Sequence, residues 1–288
     1  MFELLFQSTP LLFAGVIVFG LIIGSFLNVV ILRVPPLLEH DWRCQCRELL
    51  QLKPDEDERP PGIVYARSKC PDCGHPIRAI ENIPVLSYLV LRGRCAACKA
   101  RISPRYPLVE LTTAILFSLT IWHFGPNLQG LTALFLTAFL MALAGIDADH
   151  QLLPDNMTLP LLWAGIVLNF WSVHTDLAAS VMGAIAGYLA LWSIYHLFRL
   201  LTGKEGMGYG DFKLLAALGA WMGWQMLPLI ILLSSVVGAL FGLILMGAGK
   251  MKRDKPMPFG PFIAAAGWIA LIWGEQIIDH YTRSGVFG

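Results

Sequence analysis

Charged residues are scarce in this chain of 288 residues. They make up 14% of it, whereas soluble domains carry about 25%. Hydrophobic residues make up 56%, and the mean hydropathy is +0.62. This composition excludes an ordinary soluble domain and requires most of the chain to face lipid or other apolar helices. The net charge of +1 lacks a basic excess, so we expect no nucleic-acid partner.

The first ten residues contain neither Lys nor Arg, so the basic start of a signal peptide is missing. The apolar run at 11–32 that follows is longer than the core of a signal peptide, and Arg33 comes directly after it. This pattern predicts an uncleaved spanning helix.

Eight segments are apolar enough to be candidate membrane spans, each needing about 20 residues to cross the hydrocarbon layer. The sixth is short and rich in Gly, which predicts a broken helix that packs against protein or lines a cavity. The predicted fold is therefore an all-α polytopic membrane protein with about eight transmembrane helices and a small module outside the membrane. The candidate spans are residues 11–32, 107–123, 128–146, 157–173, 178–198, 212–223, 226–248 and 260–278.

Lys and Arg are also absent from alternate loops, at 124–127, 174–177 and 224–225. Of the 21 Lys and Arg residues, thirteen fall in 33–106, and all of the others except Arg283 fall in two further segments, 199–213 and 250–255. With eight spans these basic segments share one side, which the positive-inside rule assigns to the cytoplasm. Both termini are then predicted to be periplasmic.

The one sizeable polar segment, 33–106, contains two C-x-x-C pairs, and 21 residues separate Cys73 from Cys95. This spacing is typical of a four-thiolate zinc site, formed here by Cys70, Cys73, Cys95 and Cys98. Zinc would stabilise a module too small to fold on its own. We interpret Cys44 and Cys46 as spare thiols, because four ligands are already available. The predicted domains are a first helix at 1–32, a cytoplasmic zinc module at 33–106 and a seven-helix membrane domain at 107–288.

Acidic residues are rare near the spans, and two acidic segments are predicted to meet at the cytoplasmic membrane face. Asp147 and Asp149 follow the third span, and Asp211 lies in Gly208-Tyr209-Gly210-Asp211 before the sixth. A lone Asp there more often caps a helix. Two carboxyl groups from separate helices, however, can cleave a peptide bond. One is ionised and takes a proton from a water molecule, while the other is protonated and hydrogen-bonds the scissile carbonyl. Gly208 and Gly210 leave room for an extended substrate backbone.

These motifs, in this order, resemble those of the type IV prepilin peptidases, bifunctional membrane enzymes of the GxGD aspartic protease group. The similarity covers nearly the whole chain. It rests on Gly24-Ser25-Phe26-Leu27-Asn28, the double C-x-x-C, Arg105-Tyr106-Pro107-Leu108-Val109-Glu110, Asp147 with Pro154-Asp155, Gly208-Tyr209-Gly210-Asp211-Phe212-Lys213 and Pro258-Phe259-Gly260-Pro261.

The resemblance implies Asp147 and Asp211 as the catalytic pair. Asp149 is the alternative to Asp147, since it lies about 200° further round a helix and the two cannot both point at Asp211. Asp155 is expected to orient the loop or start the next helix.

The resemblance also implies N-methylation of the new N-terminal residue, usually Phe, with S-adenosylmethionine. No Gly-rich donor loop after a strand is present, and the methyl-transfer residues remain unknown. Gly24, Asn28 and the module are candidates, although Gly24 and Ser25 equally suit close helix packing.

The implied substrates are prepilins and type II secretion pseudopilins. The resemblance implies that they are cleaved at the cytoplasmic face of the bacterial inner membrane, where the protein is surrounded by membrane lipid. Glu110 or Glu205 could read the basic leader. Two other functions stay open: an ion-coupled transporter that uses the aspartates, and a scaffold whose zinc module docks a partner. No internal repeat favours the transporter.

Overall fold

The computed structural model describes residues 9–53, 59–64, 66–204, 206–249 and 257–283, without the side chain of Arg283. Within these ranges it contains nine α-helices and no β-strand, apart from two isolated antiparallel bridges. The predicted all-α fold is therefore confirmed. Glu205 and the basic residues Lys250, Lys252, Arg253 and Lys255 lie outside the described residues.

The helices follow the order of the predicted spans. They are α1 (Thr9–Leu49), α2 (Leu86–Val90), α3 (Arg105–Phe124), α4 (Leu128–His150), α5 (Asp155–Asn169), α6 (Leu177–Thr202), α7 (Tyr209–Met222), α8 (Leu227–Gly247) and α9 (Gly260–Arg283).

Six of the described helices are long and apolar enough to cross a membrane, namely α1, α3, α4, α6, α8 and α9. The prediction of eight spans is thus only approximate. Each predicted span coincides with a helix, but α5 has 15 residues and α7 has 14. A helix rises 1.5 Å per residue, so neither helix alone covers a hydrocarbon layer of about 30 Å.

Helix α1 continues to Leu49, well past the predicted end of the first span at residue 32. Hydropathy marks where the chain leaves lipid, and a helix need not end there. The extension includes Pro35 and Pro36, which lack the N–H groups that an α-helix uses for its backbone hydrogen bonds. The first part of the predicted polar module, residues 33–49, therefore belongs to α1.

The chain divides into two compact units, residues 1–138 and 139–288, with the boundary inside α4. In the first unit α1 packs closely on α3 through two glycines. A Cβ at Gly20 would lie 2.6 Å from Cα of Ala114, and one at Gly24 would lie 2.7 Å from Cα of Glu110. Of the two interpretations of Gly24, close helix packing is the one that fits.

In the second unit α7 is the central helix and packs against α5, α6 and α9. All of its residues from Asp211 to Met222 are buried, except for the half-buried Lys213. The sequence predicted a short helix, broken or half-buried, that packs on protein or lines a cavity. The helix is short and packs on protein, but it is unbroken from Tyr209 to Met222 and almost fully buried.

The buried carboxyl end of α7 requires partners for its last carbonyl groups, because buried backbone carbonyls must be hydrogen-bonded within the protein. Asn169 Nδ2 donates to the carbonyl oxygens of Ala220 (2.9 Å) and Trp221 (3.0 Å). The Ser180 hydroxyl donates to the Ala220 oxygen as well, at 2.6 Å. These bonds let a helix of 14 residues end inside the protein.

Candidate active site and metal centre

Asp147 lies in the last turn of α4 and is buried. Its Oδ2 accepts a hydrogen bond of 2.9 Å from the backbone N–H of Gly260, the first residue of α9. A Cβ at position 260 would lie 2.7 Å from that oxygen. The carboxylate can therefore reach this N–H only because residue 260 is glycine.

Asp211 lies in the first turn of α7, where it is also buried. Among the described residues no group hydrogen-bonds its Oδ1. The Asp147 carboxyl lies close enough for the two side chains to interact electrostatically. The structure thus brings together the two carboxyl groups that the sequence predicted. Each has a backbone donor, Gly260 for Asp147 and Gly208 for Asp211, and Asp211 has one oxygen left open.

Asp149 is exposed, whereas Asp147 is buried. The two side chains leave α4 in different directions, as expected for residues about 200° apart on a helix. Of the two candidates on α4, Asp147 is the one that faces Asp211.

Asp155 is the first residue of α5, and its carboxylate binds Lys213. The Nζ of Lys213 lies 2.6 Å from Oδ1 and 2.8 Å from Oδ2. This ion pair connects the segment after Asp147 to the helix that carries Asp211. Sequence reasoning expected Asp155 to orient the loop, but it assigned no role to Lys213.

The two glycines before Asp211 differ in their surroundings. Among the described residues, a Cβ at Gly208 would have only the backbone N of Gly210 within 4 Å, at 4.0 Å. A Cβ at Gly210 would lie 2.7 Å from Cβ of Leu153. Open space for a substrate therefore exists at Gly208, while Gly210 allows the loop after α4 to pack against α7.

The four predicted cysteine ligands form one cluster in the first unit. All four sulfur atoms lie within 4.8 Å of one another. Sγ of Cys70 lies 3.8 Å from Sγ of Cys98, and Sγ of Cys73 lies 4.0 Å from Sγ of Cys95. Tetrahedral zinc with bonds of about 2.3 Å requires sulfur separations of about 3.8 Å. The four thiols therefore fit zinc.

The two C-x-x-C turns share one backbone pattern. The N–H of Gly74 donates to the carbonyl of Cys70 (2.9 Å), and the N–H of Lys99 donates to the carbonyl of Cys95 (3.1 Å). Gly74 has φ +70° and Lys99 has φ +63°. The second turn therefore forms without the glycine that its sequence lacks, because Lys99 adopts the left-handed conformation instead.

The cluster also favours thiolate at one ligand. The backbone N–H groups of Cys98 and Ala97 lower the pKa of Cys95 to about 6. Cys44 lies elsewhere on α1, with Sγ 3.8 Å from Nδ1 of His40. Neither Cys44 nor Cys46 belongs to the described four-sulfur cluster.

The fold and the site define a multi-pass membrane protein with a buried carboxylate pair and a separate four-cysteine centre. The profile of the Bacterial Peptidase A24 N-terminal domain matches residues 18–124, and that of the Type IV leader peptidase family matches residues 134–243. The chain belongs to the type IV leader peptidase family, as its motifs predicted.

Several curated relatives match nearly the whole chain, and the three described here are all named prepilin leader peptidase/N-methyltransferase. The protein from Stutzerimonas stutzeri is 54% identical over 96% of both chains. That from Pseudomonas aeruginosa is 53% identical over 97% of both, and that from Aeromonas hydrophila 55% identical over 95% of both. No solved structure matches. Family and helices together identify a multi-pass protein of the inner membrane.

Two residues of the site were missed by sequence reasoning. Gly260 stood within the motif Pro258-Phe259-Gly260-Pro261, and Lys213 ended the motif that contains Asp211. Both positions thus lay within motifs that carried the resemblance, but neither had been given a role. Their roles depend on contacts across 113 residues for Gly260 and 58 for Lys213, which spacing along the chain does not predict.

Proposed function

We propose that this chain removes the leader from type IV prepilins and type II secretion pseudopilins and then N-methylates the new N-terminal residue. The observation that carries the proposal is the pair of buried, interacting carboxyl groups, Asp147 and Asp211, on separate helices of one unit. Similarity over nearly the whole chain to relatives named for both activities supports the same conclusion.

The hydrogen bonds around the pair favour different roles for the two aspartates. Both carboxyl groups accept one backbone N–H, from Gly260 at Asp147 and from Gly208 at Asp211, so the difference between them lies in the remaining oxygen of Asp211. Asp211 has an open Oδ1, which suits a protonated carboxyl that donates to the scissile carbonyl. Asp147 would then take a proton from the attacking water, and Asp211 would stabilise the oxygen of the tetrahedral intermediate.

Substrate geometry agrees with the distribution of charge along the chain. A prepilin carries a short basic leader followed by an apolar helix. With the Lys and Arg segments on the cytoplasmic side, Asp147 and Asp211 would face the cytoplasm near the membrane surface. The leader would remain cytoplasmic while the helix stays in the lipid, and both termini of this chain would be periplasmic. Gly208 would give the extended cleavage segment room beside Asp211.

Cys70, Cys73, Cys95 and Cys98 would hold one structural zinc ion. When bound, zinc would cross-link the two C-x-x-C turns, and the peptidase step would not pass through it. The proposed domains are a first transmembrane segment at 1–32, a zinc module at 33–106 that includes the end of α1, and a seven-helix membrane peptidase domain at 107–288. S-adenosylmethionine would be the methyl donor.

Mass spectrometry of a prepilin incubated with the purified protein and S-adenosylmethionine tests both activities at once. Loss of the leader mass and gain of one methyl group are expected. Asp147→Asn and Asp211→Asn should each abolish cleavage in a protein that keeps its helical circular dichroism. The exposed Asp149→Asn is the matched control and should cleave normally. Normal cleavage by both Asp147→Asn and Asp211→Asn would refute the assigned pair.

A further inference from the structure

The first unit contains a cavity of about 440 Å³ that the aspartate pair does not use. Pockets for small organic ligands typically measure about 300–1,000 Å³. All of its lining residues fall between Ser25 and Glu110. One wall is a single face of α1, formed by residues at helical spacing such as Ser25, Asn28 and Leu32. The first turns of α3 and the zinc module form the other walls of the cavity.

Glu110 is the buried acidic group of this cavity. Its Oε2 accepts a hydrogen bond of 2.8 Å from the backbone N–H of Val85, and the Ser25 hydroxyl also hydrogen-bonds the carboxylate. Val85 has φ +60°, a conformation that β-branched residues rarely adopt. Strained backbone of this kind is found at functional sites. Here the strained residue is the one that holds the carboxylate of Glu110 in place.

The rest of the lining suits an organic zwitterion with an aromatic part. Side chains of both signs face the cavity: Arg33, Lys69, Asp72, His75, Glu81 and Arg101. Tyr88 and Tyr106 provide aromatic rings, and Asn82 provides an amide. A nucleoside stacks on aromatic rings, and a sulfonium is attracted by carboxylates and by ring faces. S-adenosylmethionine combines these features with an ammonium and a carboxylate.

We propose that this cavity binds the methyl donor together with the new N-terminal amine of the cleaved substrate, and that Glu110 accepts the proton of that amine. The inference rests on the proposed methyltransferase function and names its site. An α-amino group has a pKa of about 8, so at neutral pH it must lose a proton before it can attack. A carboxylate held by two neutral donors is placed to receive that proton.

In the proposed reaction the ammonium of the substrate gives one proton to the Glu110 carboxylate and becomes a neutral amine. The nitrogen lone pair forms a bond to the methyl carbon as the bond between carbon and sulfur breaks. The bonding electrons stay on sulfur, which leaves as a neutral sulfide. The positive charge moves to the secondary ammonium of the product, and Glu110 returns its proton to water.

Two variants test the site while leader cleavage reports that the protein is folded. Asn82 is exposed at the cavity, so Asn82→Trp should fill it and weaken binding of radiolabelled S-adenosylmethionine at least tenfold in equilibrium dialysis. Its neighbour Ile83 is exposed and does not line the cavity, so Ile83→Trp is the matched control and should bind normally. Ultraviolet cross-linking of the labelled donor should map to peptides within 25–110.

Glu110→Gln keeps an acceptor for the Val85 N–H but cannot take a proton. Methylation should fall by up to about tenfold at pH 7, where about a tenth of the amine is already neutral, and recover as pH rises above about 8, where the free amine loses its proton unaided. Leader cleavage should persist, because the aspartate pair belongs to the second unit. The exposed Glu39→Gln on α1 is the control. A purely structural role for Glu110 would not produce recovery with pH.

The outcomes separate the two proposals. If the wild-type protein cleaves and methylates but Asn82→Trp binds the donor normally, or cross-links lie outside 25–110, the cavity assignment is wrong and the function stands. If Glu110→Gln methylates normally at pH 7, the proton acceptor is wrong. If the wild-type protein cleaves a prepilin but neither binds nor uses the donor, the methyltransferase function fails, and with it this site.

Discussion

The backbone N–H of Gly260 binds Oδ2 of Asp147 at 2.9 Å, across 113 residues of sequence. The start of α9 thereby fixes a carboxyl group at the end of α4. A side chain at position 260 would lie too close to that oxygen, so the position of the Asp147 carboxyl group depends on Gly260.

Gly260→Ala should therefore impair leader cleavage without unfolding the protein. The new Cβ would sit 2.7 Å from the present position of Oδ2, so the Asp147 carboxyl group must shift from its present position. A displacement near 1 Å of a reacting group costs about 10²-fold in rate, and a loss of that order is expected in the mass-spectrometric assay. Gly247→Ala, which has nothing within 4 Å, should cleave normally. Equal activity of the two variants would show that the contact is dispensable.

The ion pair between Lys213 and Asp155 should matter more for activity than for stability. Asp155 is 58% exposed, and exposed pairs contribute about 0.2–1 kcal/mol to the free energy of unfolding. Lys213→Met should thus barely change the melting temperature but slow cleavage about tenfold or more, because the two aspartate-bearing segments lose their link. The charge-swapped double variant Asp155→Lys/Lys213→Asp should recover part of the rate. A double variant no better than Lys213→Met alone would argue against the link.

Purified protein should contain about one zinc ion per chain, measured by elemental mass spectrometry. Cys70→Ser or Cys98→Ser should remove it, whereas Cys44→Ser and Cys46→Ser should retain it, since these two lie outside the described cluster. Zinc binds the thiolate forms, so protons compete with the metal and zinc loss should increase as pH falls. Full retention in Cys70→Ser would contradict the site.

Removing the glycine of the first C-x-x-C turn should destabilise it, whereas adding a glycine to the second should not. Gly74→Ala places a side chain at φ +70° and should cost about 1–2 kcal/mol of module stability. Lys99→Gly relieves the same conformation at φ +63° and should be neutral or stabilising. Competition for zinc with a chelating dye would measure both. Weaker binding by Lys99→Gly would show that the Lys99 side chain contributes more than the backbone conformation costs.

Asn169 should be the more important of two helix-capping asparagines. It is fully buried, donates to two carbonyls at the end of α7, and accepts from the N–H groups of His174 and Thr175. Asn169→Ala leaves buried groups unpaired and should cost about 2–4 kcal/mol, seen as a lower melting temperature in detergent. Asn127 caps α4 at an exposed position, so Asn127→Ala should cost about 1 kcal/mol. Similar losses from both variants would contradict the assigned role.

Much of this protein could be predicted from sequence, because membranes and metals impose simple patterns. Lipid demands long apolar helices, and six of the eight predicted spans coincide with one among the described residues. Thiolates at C-x-x-C spacing predicted the cluster around Cys70 and Cys95. The length of α1 could not be predicted in this way, since hydropathy does not register the polar helix that continues to Leu49.

The sequence by itself determined the fold class, the family, and the residue types available for chemistry: Asp147, Asp211 and four cysteines. Tertiary structure alone decided that Gly260 holds Asp147, that Lys213 binds Asp155, and that Glu110 is buried in a cavity beside the zinc module. The physical reason is range. Apolar periodicity and ligand spacing act over a few residues, whereas these hydrogen bonds and ion pairs join residues brought together only when distant helices pack.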